Sequence, residues 1–310
     1  MAVWIAFWTL GVIWGSSFLL IKFGVAELTP LQLVACRVGM AALAMVLTLR
    51  FTGRHFPADL RSRLGLIVVG MFNTAIPFLL ITWGEQSIDS GLATVLNATV
   101  PLFSLVIAHF ALQDERITGM KVLGLLSGFI GVVVLASRSL GVGEVANLLA
   151  RQVAVLLASM CYAGATVFVR RNLRHLPPMV VSSGALVTAT VLVGGAALLV
   201  DGLPDFGALS TTAIFSVGTL GLANTYVAYL LFYWIISRWG ATRATLVTYV
   251  MPPVGLALGG IFLAEPLDAR LLLGTALIGA GVALVNLRLR RTTPPEGVEA
   301  LPVAATPCGK

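Results

Sequence analysis

Apolar residues run along this chain in long blocks, without alternation. Ten blocks approach or exceed the roughly 20 residues that an α-helix needs to cross a hydrocarbon core about 30 Å thick. They cover residues 3–23, 30–50, 64–83, 91–112, 118–137, 152–169, 179–200, 211–236, 241–263 and 270–288. No stretch alternates with period two, and the blocks are too long for strands, so a soluble α/β fold does not fit. The pattern predicts an all-α membrane protein of ten transmembrane helices, with consecutive helices mostly antiparallel neighbours. The first block has no basic residue before it, exceeds the apolar length of a cleaved leader and lacks an A-x-A exit, so it is expected to remain as a span.

The polar and helix-breaking positions inside these blocks recur in matched places. Gly91 to Pro101 carries Asn97 and Thr99 ahead of a proline, and Ala244 to Pro253 carries Thr248 and Tyr249 ahead of two. Pro101 and Pro252 align at an offset of 151, as do Trp83 with Trp234 and the i, i+4 pair Phe78 and Thr82 with Tyr229 and Tyr233. Trp14-Gly15-Ser16-Ser17 aligns with Tyr162-Ala163-Gly164-Ala165, and Glu115, Gly124 and Gly131 with Glu265, Gly274 and Gly281. Each half holds five blocks, an odd number, so the second half is expected to enter the membrane in the opposite sense. Paired, interrupted helices in inverted halves point to a transporter whose solute site lies near the midplane.

Charge sets the orientation. Fifteen of the 20 Lys and Arg fall in loops on the side of the two termini, four fall opposite (Lys22, Arg138, Arg151 and Arg270), and Arg37 lies inside a block. Basic residues near span ends stay cytoplasmic, which predicts cytoplasmic N and C termini. The same distribution accounts for the net charge of +7, because the cations sit singly at helix ends and form no nucleic-acid-binding face. Cys36, Cys161 and Cys308 have no metal or redox spacing, and no metal or cofactor is expected. A membrane enzyme would need His, Asp or Glu gathered at one face, and no such motif occurs, so the chain is read as a non-enzyme.

Ile13-Trp14-Gly15-Ser16-Ser17-Phe18, Arg37, the Ala-Thr to Pro pattern of the fourth and ninth blocks, and Glu115 and Glu265 with their following glycines carry a resemblance. Together they resemble the EamA-type ten-helix branch of the drug/metabolite transporter superfamily over about residues 1–290. Within it the chain looks most like bacterial exporters of aromatic and other neutral amino acids. The resemblance implies a first five-helix repeat over 1–140, a second, inverted repeat over 150–290, and a multi-pass protein of the cytoplasmic (inner) membrane. Residues 291–310 are polar and Pro-containing and read as a disordered cytoplasmic tail.

The candidate substrate-binding residues are Trp14, Ser17, Asn73, Phe78, Thr82, Asn97, Pro101, Tyr162, Tyr229, Tyr233, Thr248, Tyr249 and Pro252. Prolines 101, 252 and 253 have no N–H for the carbonyls of Asn97, Thr248 and Tyr249, which leaves acceptors for an ammonium or for neighbouring hydroxyls. The aromatic residues serve either as a wall for an apolar solute or as ordinary helix contacts and interfacial belt residues. Asn73 and Asn224 serve interhelical bonding before substrate contact. Arg37 lies about two turns from the outer end of its block, near enough to snorkel as an anchor, with a substrate carboxylate as the second reading. Glu115 and Glu265 suit the N-termini of the helices that follow them.

All thirteen acidic residues lie in loops, span ends or the tail. A midplane without a carboxylate disfavours proton-driven cation export, and a lone Arg37 disfavours carriers of phosphorylated sugars. The expected partners are a small solute and the bilayer, and the expected activity is facilitated, uniport-like export by alternating access. Export of hydrophobic drugs or organic cations, with proton coupling, is the competing reading.

Overall fold

The computed structural model describes residues 1–112, 117–139, 145–240 and 244–286. Among them no residue is in a strand, and ten helices are long and apolar enough to cross a membrane. Spans 1 to 5 are Ala2–Gly24, Pro30–Phe51, Leu60–Gly84, Ser90–Ala111 and Gly119–Ala136. Spans 6 to 10 are Val145–Asn172, Pro178–Val200, Thr211–Trp239, Thr245–Leu263 and Ala269–Asn286. The ends follow from local chemistry. Thr29 caps span 2 in a capping box with Gln32, with Pro30 at the first helical position, where a missing N–H costs nothing. Asp59 and Ser210 cap spans 3 and 8. The proposed tail 291–310, Cys308 and Glu115 lie outside the described residues.

Helix pairing has a two-fold pattern. Spans 2 and 7, 4 and 9, and 5 and 10 pack together, and the pairs 3–6 and 4–6 have counterparts in 1–8 and 1–9. The 5–10 seam is glycine against glycine. A Cβ on Gly124 would lie 2.7 Å from the Gly281 carbonyl oxygen, and one on Gly131 would lie 2.8 Å from that of Gly274. An early glycine of span 5 therefore meets a late one of span 10, and the two helices run antiparallel. Backbones this close gain dispersion contacts and exclude any side chain.

Four spans depart from regular helix, again in matched places. Span 3 contains a π turn at Met71–Ala75 and span 8 one at Leu222–Val227. Each follows a glycine that a neighbouring helix approaches closely. A Cβ on Gly70 would meet Thr188 and the Ala185 carbonyl of span 7, and one on Gly221 would meet Met40 and the Arg37 carbonyl of span 2. The extra residue of a π turn displaces the side chains it carries, which here include Asn73 and Asn224. The Thr225 hydroxyl donates to the Leu220 carbonyl five residues back (2.8 Å), occupying the widened turn.

Spans 4 and 9 break before their prolines. Span 4 is helical over Ser90–Asn97, turns at Ala98–Thr99 and resumes at Val100–Ala111. Span 9 is a 3-10 helix over Thr245–Tyr249 that becomes α-helical over Met251–Leu263. Pro101 and Pro252 thus each stand in the first turn of a new helix, where their fixed φ fits. At the span 4 break hydroxyls reinforce the turn: the Leu96 carbonyl accepts the Thr99 N–H at 3.2 Å, the Thr99 hydroxyl at 2.6 Å and the Ser159 hydroxyl of span 6 at 3.3 Å.

Candidate solute site between the halves

The breaks and π turns surround a cavity of about 580 Å³, within the range of small-molecule sites. Its wall includes Trp14, Ser17, Asn73, Phe78, Asn97, Pro101, Tyr162, Tyr229, Tyr233, Thr248 and Tyr249, together with Arg37. Aligned positions of the two halves face it together: Trp14 with Tyr162, Asn73 with Asn224, Phe78 with Tyr229, and Asn97 with Thr248. The cavity continues past Ser104, Thr166 and Arg170 to Lys121 and Asn286, at the membrane side where span 10 ends.

Two candidates do not line the cavity. Thr82 is 0% exposed, and its hydroxyl has no hydrogen-bond partner; its i, i+4 relation to Phe78 does not hold it on the cavity side of span 3. Pro252 is buried at the start of the span 9 helix, so its role is to end the 3-10 segment that carries Thr248 and Tyr249. Thr225 and Ser104 are further wall residues that the hydrophobic pattern does not single out, and for Asn224 that pattern puts helix bonding first. Asn224 does both: its side-chain amide donates to Ile13 O, Ser16 Oγ (3.2 Å) and Ser17 Oγ (3.0 Å) of span 1 while bordering the cavity. The shared offset of Asn73 and Asn224 was the signal available in the sequence.

Arg37 does not snorkel. It is 6% exposed, and its Nε donates to Thr225 Oγ1 of span 8 at 3.0 Å. Its guanidinium carbon lies 4.0 Å from the centre of the Phe78 ring, a cation–π contact that strengthens as water is removed. The hydrogen bond and the ring turn the cation inward. The site therefore has a fixed positive pole at one end of an aromatic wall. Tyr229 and Tyr233 stack at 6.2 Å with an interplanar angle of 28°, and Trp14 packs on Phe232 at 5.2 Å. Tyr249 OH donates to Val282 O at 3.2 Å and accepts from the Asn286 amide at 2.5 Å, so span 9 is tied to span 10 beside the mouth.

The end of the cavity away from Asn286 is closed by polar contacts between span ends. Lys22 Nζ donates to the carbonyls of Glu85 (2.7 Å) and Ile88 (2.8 Å). Arg138 pairs with Asp89 at 3.2 Å and Asp268 at 2.7 Å. Glu265 does not begin its own following helix; Asp268 does, accepting from Leu271 N at 2.8 Å. The Glu265 carboxylate instead accepts the Ser90 and Gly91 N–H groups at 2.7 and 2.9 Å, capping the first half of span 4. The partial positive charge at that helix start and the proximity of the span 9–10 turn explain the choice.

Comparison with known proteins agrees with this architecture. Residues 2–137 and again 151–287 match the family described as EamA-like transporters. An uncharacterized transporter of Archaeoglobus fulgidus is 29% identical over 92% of this chain and 99% of its own length. A probable amino-acid metabolite efflux pump of Salmonella typhimurium is 28% identical over 91% of this chain and 94% of its own. An uncharacterized inner membrane transporter of Escherichia coli is 27% identical over 91% and 90%. A solved crystal structure superposes with a TM-score of 0.65 at 20% identity, over 96% of this chain and 99% of that one, which shows a shared fold.

Proposed function

The chain belongs to the EamA-like transporter family, and we propose that it exports neutral or zwitterionic amino acids, aromatic ones among them, or similar small metabolites. Export would cross the inner membrane by alternating access. The observation that carries this reading is the wall of the cavity, which joins aromatic faces to one buried cation and holds no carboxylate among its described residues. A solute carboxylate would meet Arg37. Its apolar part would lie on Trp14, Phe78, Tyr162, Tyr229 and Tyr233, and its ammonium would be met by Asn97 and Thr248. A charged hydrogen bond of this kind contributes about 1.5–3 kcal/mol. The efflux pump of Salmonella typhimurium supports the substrate class. Arg37 in the wall repels an organic cation and so weighs against the drug-export reading.

The two matched halves support an inverted repeat, in which exchange of the half-structures moves the opening from one side to the other. With cytoplasmic termini, the open mouth beside Asn286 faces the cytoplasm, where an exporter loads. The absence of a carboxylate from the described wall supports uniport. Purified protein in sealed liposomes should accelerate counterflow of labelled tryptophan or phenylalanine without an imposed proton gradient. Flux only under such a gradient would refute uniport, and absence of amino-acid flux alongside flux of a quaternary ammonium would refute the substrate class.

A further inference from the structure

Glu85 is a carboxylic acid that solute binding does not use. It caps the end of span 3, is 0% exposed, and neither of its side-chain oxygens has a hydrogen-bond partner. An ionised carboxylate in such a place forfeits its hydration without replacement, at a cost of several kcal/mol. The Lys22 ammonium acts on it only through space, since its hydrogen bonds go to the backbone carbonyls of Glu85 and Ile88.

The other charged groups around it are already engaged. Arg37 of span 2 bonds Thr225 and covers Phe78. Arg138 of span 5 holds Asp89 and Asp268. Glu265 caps span 4, and Arg151 of span 6 donates to Trp83 O at 2.5 Å and Gln86 Oε1 at 2.9 Å. Burial raises the Glu85 carboxyl well above the ordinary range; Lys22 and Arg37 pull it down, and Glu265 adds to the rise.

We propose that Glu85 is a proton-binding site at the closed end of the cavity, occupied while that end is sealed and emptied to the outer solution when it opens. The chemistry is a single O–H dissociation: the proton passes to external water, and the carboxylate left behind pairs with the Lys22 ammonium as the carbonyls of Glu85 and Ile88 let it go. Ile81, one turn inside Glu85, and Ile21, next to Lys22 in the chain, border the cavity and screen the carboxyl from the open mouth. The proton therefore returns from the side to which it left, and the cycle moves no net proton. The sealed state has the higher proton affinity, so it is favoured at low external pH and weakens as external pH rises through the carboxyl's raised value.

This site rests on the orientation and alternating-access reading above, but its test uses no solute, so the two fail separately. In a background with Cys36, Cys161 and Cys308 replaced by Ser, Ile21→Cys reports opening to a membrane-impermeant thiol reagent applied outside. An exposed Gly207→Cys on the same side corrects for the reagent's own pH dependence. The corrected labelling rate should climb as the external pH rises through the carboxyl's raised range, by at most about tenfold per pH unit for one proton. It should ignore internal pH and go flat in Glu85→Gln. A pH-independent rate in the parent, a response to internal pH, or an unchanged climb in Glu85→Gln would each overturn the site. The first two are read on the parent and do not depend on the variant folding.

Discussion

The two ends of the cavity use the same kinds of residue differently. At the closed end, Glu85 apart, cations and carboxylates from the ends of spans 1, 4, 5, 9 and 10 are bound to one another or to backbone: Lys22 to two carbonyls, Arg138 to two aspartates, Glu265 to two N–H groups. At the open end, Lys121, Arg170 and Asn286 border the cavity itself. The repeat places a basic residue at each end of this path, since Lys22 and Arg170 align. At the closed end the Arg138–Asp268 pair and the Glu265 bonds to the Ser90 and Gly91 N–H groups join the opposite halves. In a transporter that opens to each side in turn, the contacts at the closed end are those that must break.

The sharpest way to break the comparison is at Arg37, the charge between the ends. Arg37→Gln should lower solute counterflow about tenfold to a hundredfold, the loss of one charged hydrogen bond, with protein abundance kept. Arg37→Lys should recover little, because an ammonium cannot both donate from the Nε position and lie flat on Phe78. Recovery by lysine would reduce Arg37 to a point charge. Next in size, Glu265→Ala removes the cap of span 4 and should raise outside labelling of Ile21→Cys about tenfold. No change would mean that the closed end is held by Lys22 and Arg138 alone.

A smaller effect separates packing from gating. Gly124→Ala forces a methyl against the Gly281 carbonyl and should cost about 1–3 kcal/mol of stability, read as a lower unfolding temperature in detergent with the counterflow of surviving protein unchanged. The smallest effect lies at Thr82. Thr82→Val keeps the shape and deletes a buried, unsatisfied hydroxyl, so stability should hold or rise by about 1 kcal/mol and transport should stay within about twofold. A large transport loss there would bring Thr82 back to the solute. Pro101→Ala, in the wall, should impair transport more than Pro252→Ala, which lies behind it.

The sequence by itself determined the ten spans and the matched breaks. Hydrophobic length is a property of contiguous residues, and a proline acts on its own helix through its missing N–H. It also marked most of the wall, because alignment of the halves brings Trp14 and Tyr162, or Phe78 and Tyr229, to equivalent depth. Only the tertiary structure decided which way side chains turn. The π turns at Met71–Ala75 and Leu222–Val227 reset the helical phase, Thr82 faces protein, and Arg37 points inward to Thr225 and Phe78 from distant parts of the chain. It likewise decided that Glu265 caps span 4 and that Glu85 is sealed without a partner. Burial and pairing of a charge depend on what neighbouring helices bring to it, and those neighbours lie far away along the chain.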